Sequence, residues 1–312
     1  MRKLWLLCLA FLTIVPCWSQ THTVALTFDD LPLANTAEPL TPTEKLAEAR
    51  AVNAAILKAL SKHHAPAIAF VNEKKVIGDG NTKENRDILR VWTRHGNELG
   101  NHSYSHADLD KLSAEEFEKE IVDGEPSVRL LMSEKSKPLR FFRFPFNHTG
   151  ETAEKHDATA GFLRQHGYEV ATCTIENEDW VFTHAYELML KRKDTNSAQR
   201  LRDEYLAFTR KRIEYFGQLG QKIFGREVPQ VSLLHANRLN ADTINDILRI
   251  YKDLNYKFVT LEVAQADPAY KTPDTYFTEF GWMWGYRWAK EKHIKVDGSL
   301  EPEVSEWIEN YK

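Results

Sequence analysis

The sequence predicts an α/β protein built as a (β/α) barrel, on three observations. Seven short β-like runs recur along the chain, at 23–28, 66–71, 98–101, 140–144, 168–174, 231–235 and 257–261. Segments of helical periodicity separate most of them, which implies βαβ units and a parallel sheet. Seven such units suffice to close a barrel, and a barrel keeps its chemistry on the loops after the carboxyl ends of its strands.

Ahead of the first run, residues 1–19 carry basic Arg2 and Lys3, an apolar stretch over 4–15 and the small Ser19. That is the pattern of a secretory signal peptide, too short for a spanning helix of about 20 apolar residues. The expected mature protein is exported, to the periplasm or the extracellular space. Pro16 directly before Cys17 argues against a lipid anchor. Removing 1–19 leaves Cys173 as the only thiol, so no intramolecular disulfide is expected. Cys173 lies in the apolar run 170–175 and reads as a core residue. What remains holds 39 basic against 45 acidic residues, a net charge of −6. Both signs are interspersed without a Lys/Arg stripe, which argues against a nucleic-acid partner. No later stretch reads as a transmembrane segment, and no repeat or low-complexity tract is present.

After the first run, Thr41, Pro42 and Glu44 supply a cap, an N1 proline and an N3 carboxylate ahead of Leu46, Ile56 and Leu60. Ser113 and Glu116 repeat the device before a helical pattern over 117–131. Between the fifth and sixth runs, 185–224 is a charged, mostly helical insertion. Its apolar positions Leu201, Tyr205, Phe208, Ile213, Phe216 and Ile223 form one face. It either roofs a groove or packs as decoration. Beyond it the chain turns aromatic, with Tyr276, Phe277, Phe280, Trp282, Trp284, Tyr286 and Trp288 close together. A tail packed on the barrel is favoured over a sugar-stacking platform. The expected organisation is a signal peptide at 1–19, a barrel domain at 20–265 and a C-terminal tail at 266–312.

The polar residues that could carry chemistry cluster after strands. Asp29 and Asp30 close the first run, and Pro32 argues that the strand stops so that both carboxylates turn into one site. His102 and His106 follow the third run, where a spacing of four on a helical turn would set two imidazoles side by side for a shared metal. Arg143 ends the fourth run. Glu176, Glu178, Asp179 and Trp180 follow the fifth, and His235 ends the sixth. Each has a plain structural reading: turn pair, core histidine, buried arginine, helix cap. Their shared position after strands favours a site.

Together these segments resemble the polysaccharide deacetylases, the NodB-homology carbohydrate esterases, over about residues 23–261. The resemblance rests on Thr27-Phe28-Asp29-Asp30, His102-Ser103-Tyr104-Ser105-His106, Arg143-Phe144-Pro145, Asp179-Trp180 and Leu234-His235. It implies a distorted (β/α)7 barrel. It also implies that Asp30, His102 and His106 bind a divalent metal, usually Zn2+, with Co2+, Ni2+ or Mn2+ as alternatives. By the same resemblance Asp29 is the general base, His235 the general acid, Asp179 the partner of His235, and Arg143 the residue that orients Asp29. Trp180, Phe146 and Tyr104 would contact substrate, and the Phe146 N–H would help stabilise an oxyanion. The implied reaction removes N-acetyl groups from an amino-sugar glycan such as peptidoglycan or chitin fragments.

Two readings stand beside it: a hydrolase of another small amide or O-acetyl ester, and a catalytically silent glycan-binding barrel. The presence of both Asp29 and His235 speaks against the silent barrel. The chain departs from the family at Glu176, commonly Asp, and at Phe146, often Tyr; neither is a metal ligand or an acid–base residue.

Overall fold

Eight parallel strands form one curled sheet in the computed structural model, which describes residues 22–312. The signal-peptide and lipid-anchor readings, with Cys17, lie outside the described residues. The strands are β1 (His22–Leu31), β2 (Ala67–Val71), β3 (Glu98–Asn101), β4 (Phe141–Phe142), β5 (Glu169–Val170), β6 (Ile175–Glu176), β7 (Gln230–His235) and β8 (Tyr256–Val259). Their order is β5-β4-β3-β2-β1-β7-β6. β8 pairs with His22–Ala25 of β1, just before β2 takes over that strand from Leu26 onward.

The segment expected as one strand at 168–174 is a strand only at β5, and β6 begins just beyond it, at the opposite end of this order. Its middle still bonds to both neighbours, Ala171 N–H to the Phe142 carbonyl and Thr174 N–H to the Val231 carbonyl. The chain therefore bridges the two sheet edges and curls the sheet into a half-barrel, which is the distortion of the (β/α)7 barrel.

The helices are α1 (Pro42–His63), α2 (Glu73–Ile77), α3 (Thr82–Arg94), α4 (Ala114–Asp123), α5 (Pro126–Ser133) and α6 (Ala153–Gln165). They continue with α7 (Asp179–Lys191), α8 (Thr195–Phe224), α9 (Arg238–Asp253), α10 (Leu261–Gln265), α11 (Trp284–Glu291) and α12 (Glu306–Glu309). Both expected capping boxes are present, Thr41 with Glu44 and Ser113 with Glu116. The pattern over 117–131 is two helices, because Pro126 starts a new one and cannot continue the old.

Strand alternation decides which side chains face inward. Val24, Leu26 and Phe28 point to the core packed by the helices, whereas Ala25, Phe70, Phe141 and Val231 fill the interior of the curl. The same parity sends Thr27, Asp29, Arg143 and His235 inward. Gly100 leaves room for this filling, since a Cβ there would lie 2.4 Å from the Phe70 ring.

The C-terminal tail closes over the insertion side: α11 packs on α8, and α12 on α7. Trp288 is buried against Phe224 and Tyr270. Among the described residues no helix is long and apolar enough to cross a membrane.

Candidate active site

Register brings the expected residues into one row at the carboxyl edge of the sheet. Asp29 of β1 pairs directly with His235 of β7. On the other side, Val71 pairs with Asn101, and Asn101 with Phe142, so His102 and Arg143 are the next residues out. Asp30 reaches the same place by a bulge. Phe28 pairs with Ala69 and Leu31 with Val71, which leaves one extra residue in β1, and Asp30 adopts a left-handed φ of 71°. The strand thus continues to Leu31 instead of stopping at the carboxylates, and the bulge, not a strand end, sets both acids on one site.

His102 and His106 are not on a helical turn. Residues 102–108 form a loop in which Ser103 (φ 67°) and His106 (φ 62°) are left-handed. Asn101 shapes it by accepting the Ser103 N–H and donating to the Ile121 carbonyl, and Ser103 Oγ accepts the His106 N–H. The result still places the two rings together, with centroids 4.9 Å apart.

The ligand atoms of Asp30, His102 and His106 lie within 4.8 Å of one another. Asp30 Oδ1 is 3.6 Å from His106 Nε2 and 3.9 Å from His102 Nε2. His102 Nδ1 donates to the Arg143 carbonyl at 2.8 Å, which assigns its proton to that nitrogen and leaves a lone pair on Nε2. Burial lowers both imidazoles to about 4 against the pull of Asp30, so both are neutral at pH 7. Burial also opposes charge on Asp30, but Lys75, His106 and His102 outweigh it and hold this carboxyl well below the ordinary range. Asp30 Oδ1 is buried and takes no hydrogen bond. Lone pairs from a carboxylate and two neutral imidazoles therefore converge, a donor set that suits a divalent first-row cation.

Asp29 sits beside this cluster, its Oδ2 3.8 Å from His102 Nε2 and 3.4 Å from Arg143 Nη1. Burial pushes the Asp29 carboxyl above its ordinary value, against the pull of Arg143 and His235. Arg143 is itself fixed by the Thr27 hydroxyl, the Thr172 carbonyl and the face of Phe70.

On the opposite wall Asp179 opens α7 and grips His235 twice, Oδ1 accepting Nδ1–H at 2.6 Å and Oδ2 the backbone N–H at 2.7 Å. Burial alone would lower the His235 imidazole, but the Asp179 carboxylate outweighs it and holds it up at about 10, protonated at neutral pH.

These groups open into a cleft of about 740 Å³, walled by Phe146, Trp180, His184 and the 34–37 loop. Trp180 and Phe146 are the exposed apolar surfaces, at 59% and 52%. Phe146 also stands edge-on to His106, 4.6 Å between centroids. Tyr104 does not line the cleft; its backbone instead bridges Lys74 of α2 and Glu120 of α4. Cys173 is a buried thiol against Ile175 and Met283, as expected of a core residue, and burial pushes its pKa up.

The tail supplies part of the wall through Gly281, Met283, Ile308 and Glu309. Arg287 ties it down, bonding Asp274, the Thr149 hydroxyl and the carbonyls of Asn147 and Trp282. Gly281 touches the turn that carries Phe146 so closely that a Cβ would fall 1.7 Å from the Phe146 carbonyl oxygen. Gly281→Ala is expected to cost about 1–3 kcal/mol in urea unfolding, and a variant as stable as wild type would show that this contact opens freely. The α8 insertion does not line the cleft. It supports the site from behind. Tyr205 of α8 donates to Asn240, and Asn240 donates to Asp179 Oδ2.

Four supporting residues escaped the motifs: Lys75, Asn72, Asn240 and Tyr205. Lys75 Nζ lies 3.3 Å from Asp30 Oδ2, and Asn72 donates to the His102 carbonyl at 2.5 Å. Asn72 directly follows β2 and Lys75 comes three residues later in the short helix α2, where the rule that chemistry lies after strands could have found them. Asn240 and Tyr205 sit within helices and give no such signal.

A profile of the polysaccharide deacetylase family matches residues 19–171. Over 125 residues the chain is 25% identical to a chitooligosaccharide deacetylase of Sinorhizobium fredii, covering 40% of this chain and 52% of the relative. It is 27% identical over 157 residues to a peptidoglycan-N-acetylglucosamine deacetylase of Bacillus cereus, covering 50% of this chain and 46% of the relative. The matched region thus spans about half the length of these curated relatives. Among solved structures, a mutant of a CE4 family pseudoenzyme with restored enzymatic activity superposes with a TM-score of 0.50 at 18% identity, covering 78% of this chain and 68% of that one. That likeness is one of fold. The row of motif residues, the curled parallel sheet and the sequence match agree, and residues 19–171 belong to the polysaccharide deacetylase family.

Proposed function

We propose that this chain is a divalent-metal-dependent deacetylase that hydrolyses the N-acetyl group of amino-sugar glycans such as peptidoglycan or chitin-like oligosaccharides. It would act outside the cytoplasm, as the signal pattern of 1–19 implies, with 20–265 as the catalytic unit and 266–312 completing the cleft wall. The carrying observation is the convergence of lone pairs from Asp30, His102 and His106 beside a buried carboxylate, Asp29, and opposite a protonated imidazole, His235.

Asp30, His102 and His106 would hold the cation, most readily Zn2+. When bound, it supplies a Lewis acid that polarises the acetyl carbonyl and lowers the pKa of a water molecule toward neutrality. Asp29 accepts a proton from the attacking water as its oxygen bonds to the amide carbon. A carboxylate whose pKa is raised by burial is a better base than an exposed one. Arg143 orients Asp29 and limits that rise. The backbone N–H of Phe146 can donate to the oxyanion that forms on the carbonyl oxygen. His235 then protonates the departing nitrogen as the C–N bond breaks, leaving acetate and a free amine. Asp179 keeps the imidazole charged and aims Nε2 at the cleft by holding Nδ1. Trp180 and Phe146 offer apolar faces for sugar rings.

Purified protein is expected to release acetate from N-acetylglucosamine oligomers, to stop when the metal is chelated, and to recover on adding Zn2+. Acetylated xylan and small amides, run in parallel, separate glycan N-deacetylation from the wider hydrolase reading. Undiminished turnover by metal-free protein, or no acetate from any amino-sugar substrate, would refute the proposal.

A further inference from the structure

A second group of metal-ligating side chains lies beside this machinery: His148, which also lines the cleft, stands 5.6 Å from the Phe146 ring, between centroids. Asp108 and Asp110 belong to the loop that continues from His106. His148 follows Phe146, and Glu151 precedes α6. His148 Nδ1 is 2.7 Å from Asp108 Oδ1 and 3.1 Å from Asp110 Oδ2. The Glu151 carboxyl faces Asp110 within hydrogen-bond range, while its other oxygen pairs with Lys155 at 2.7 Å.

Asp110 is the telling member. Its side chain is 2% exposed, and although His148 Nδ1 lies 3.1 Å from Oδ2 and the Glu151 carboxyl faces it, no N–H or O–H donor is aligned on either Asp110 oxygen or on Glu151 Oε2. A buried carboxylate without a donor is costly. Three carboxylates face one imidazole and one lysine here, and the nearby Arg287 is already paired with Asp274.

We propose that Asp108, Asp110, His148 and Glu151 form a second site, for a hard divalent cation such as Mn2+. Carboxylate oxygens dominate the donor set, which favours Mn2+, Mg2+ or Ca2+ over softer ions, and the single imidazole is compatible with Mn2+. The site joins three segments: the loop bearing His106, the turn bearing Phe146 and the start of α6. Its occupation stiffens the two segments that flank the cleft, and it does not depend on the reaction proposed above.

The test is titration of metal-stripped full chain with Mn2+ alone, reading free Mn2+ by electron paramagnetic resonance. The expected result is an equivalent of Mn2+ that survives His102→Ala and disappears in Asp110→Asn, beside a second that behaves the opposite way. His148→Gln, which preserves the ring's approximate reach, repeats the Asp110→Asn result and guards against a folding defect in that variant. If all bound Mn2+ vanishes in His102→Ala, or an equivalent persists in both Asp110→Asn and His148→Gln alongside the His102-dependent one, the second site is overturned. Loss of only the His102-dependent equivalent from wild type would instead count against the catalytic metal and leave this site standing.

Discussion

Replacing Asp29 with Asn is expected to lower kcat by about 10²- to 10⁴-fold, the usual contribution of a positioned general base, while bound metal stays at the wild-type level. Asn keeps the size of the side chain and an oxygen for Arg143, 3.4 Å away. What it removes is the ability to take a proton. Because the carboxylate also lies 3.8 Å from His102 Nε2, a role as an additional metal ligand is the chief rival. Metal content separates the two, since a base can be lost with the cation retained and a ligand cannot. Should Asp29→Asn turn over near normally, the base lies elsewhere; should it lose metal along with activity, Asp29 is a ligand. KM is expected to move little, because the proton transfer belongs to the transition state.

Much of the site was legible because parallel sheets register their carboxyl ends. Once 23–28, 98–101, 140–144 and 231–235 read as strands, the rule that loops after strands carry function selected Asp29, His102, Arg143 and His235 together. Local geometry was less legible. The spacing of His102 and His106 fits one turn of helix, but two left-handed residues, Ser103 and His106, produce the same proximity in a loop. Likewise Pro32 suggested a strand end, whereas a bulge at Asp29–Asp30 keeps β1 in the sheet to Leu31. Periodicity reports which residues share a face and is silent about a single inserted residue. The break of the 168–174 run after β5, with β6 starting only at Ile175, belongs to the curl of the whole sheet and has no local signal. Nor does the contribution of α8, whose amphipathic pattern reads as ordinary packing until Tyr205 is seen bracing Asn240 behind Asp179, and Arg212 reaching Glu176 and Glu178.

Arg212 carries the largest expected effect on stability. It rises from α8, buried, over the rings of Phe208 and Phe216, and donates to the Glu176 carbonyl, to Glu176 Oε2 and to Glu178 Oε1. It also holds Glu301 and the Pro302 carbonyl of the tail. Arg212→Met keeps the apolar contact but strands Glu176, and breaking such a buried pair from one side costs about 3–5 kcal/mol. The loss should depend on pH. Burial and the neighbouring Glu178 already push Glu176 well above its ordinary value, with Arg212 pulling the other way. A carboxyl whose folded pKa exceeds its unfolded one binds protons on folding, so its contribution to stability declines as pH rises from the ordinary carboxylate range through the folded value. Without Arg212 that folded value climbs further, so the variant keeps losing stability above the pH at which wild type levels off. Its deficit is wider once pH has passed the wild-type folded value than at pH 5. Urea unfolding of both proteins at pH 5 and above that value measures this. A gap that is constant, or wider at pH 5, would assign the loss to packing over Phe208 and Phe216 and not to the stranded carboxylate. Because Glu178 is the left-handed residue that starts α7 immediately before Asp179, the same variant is expected to loosen the grip on His235 and lower kcat even where it remains folded.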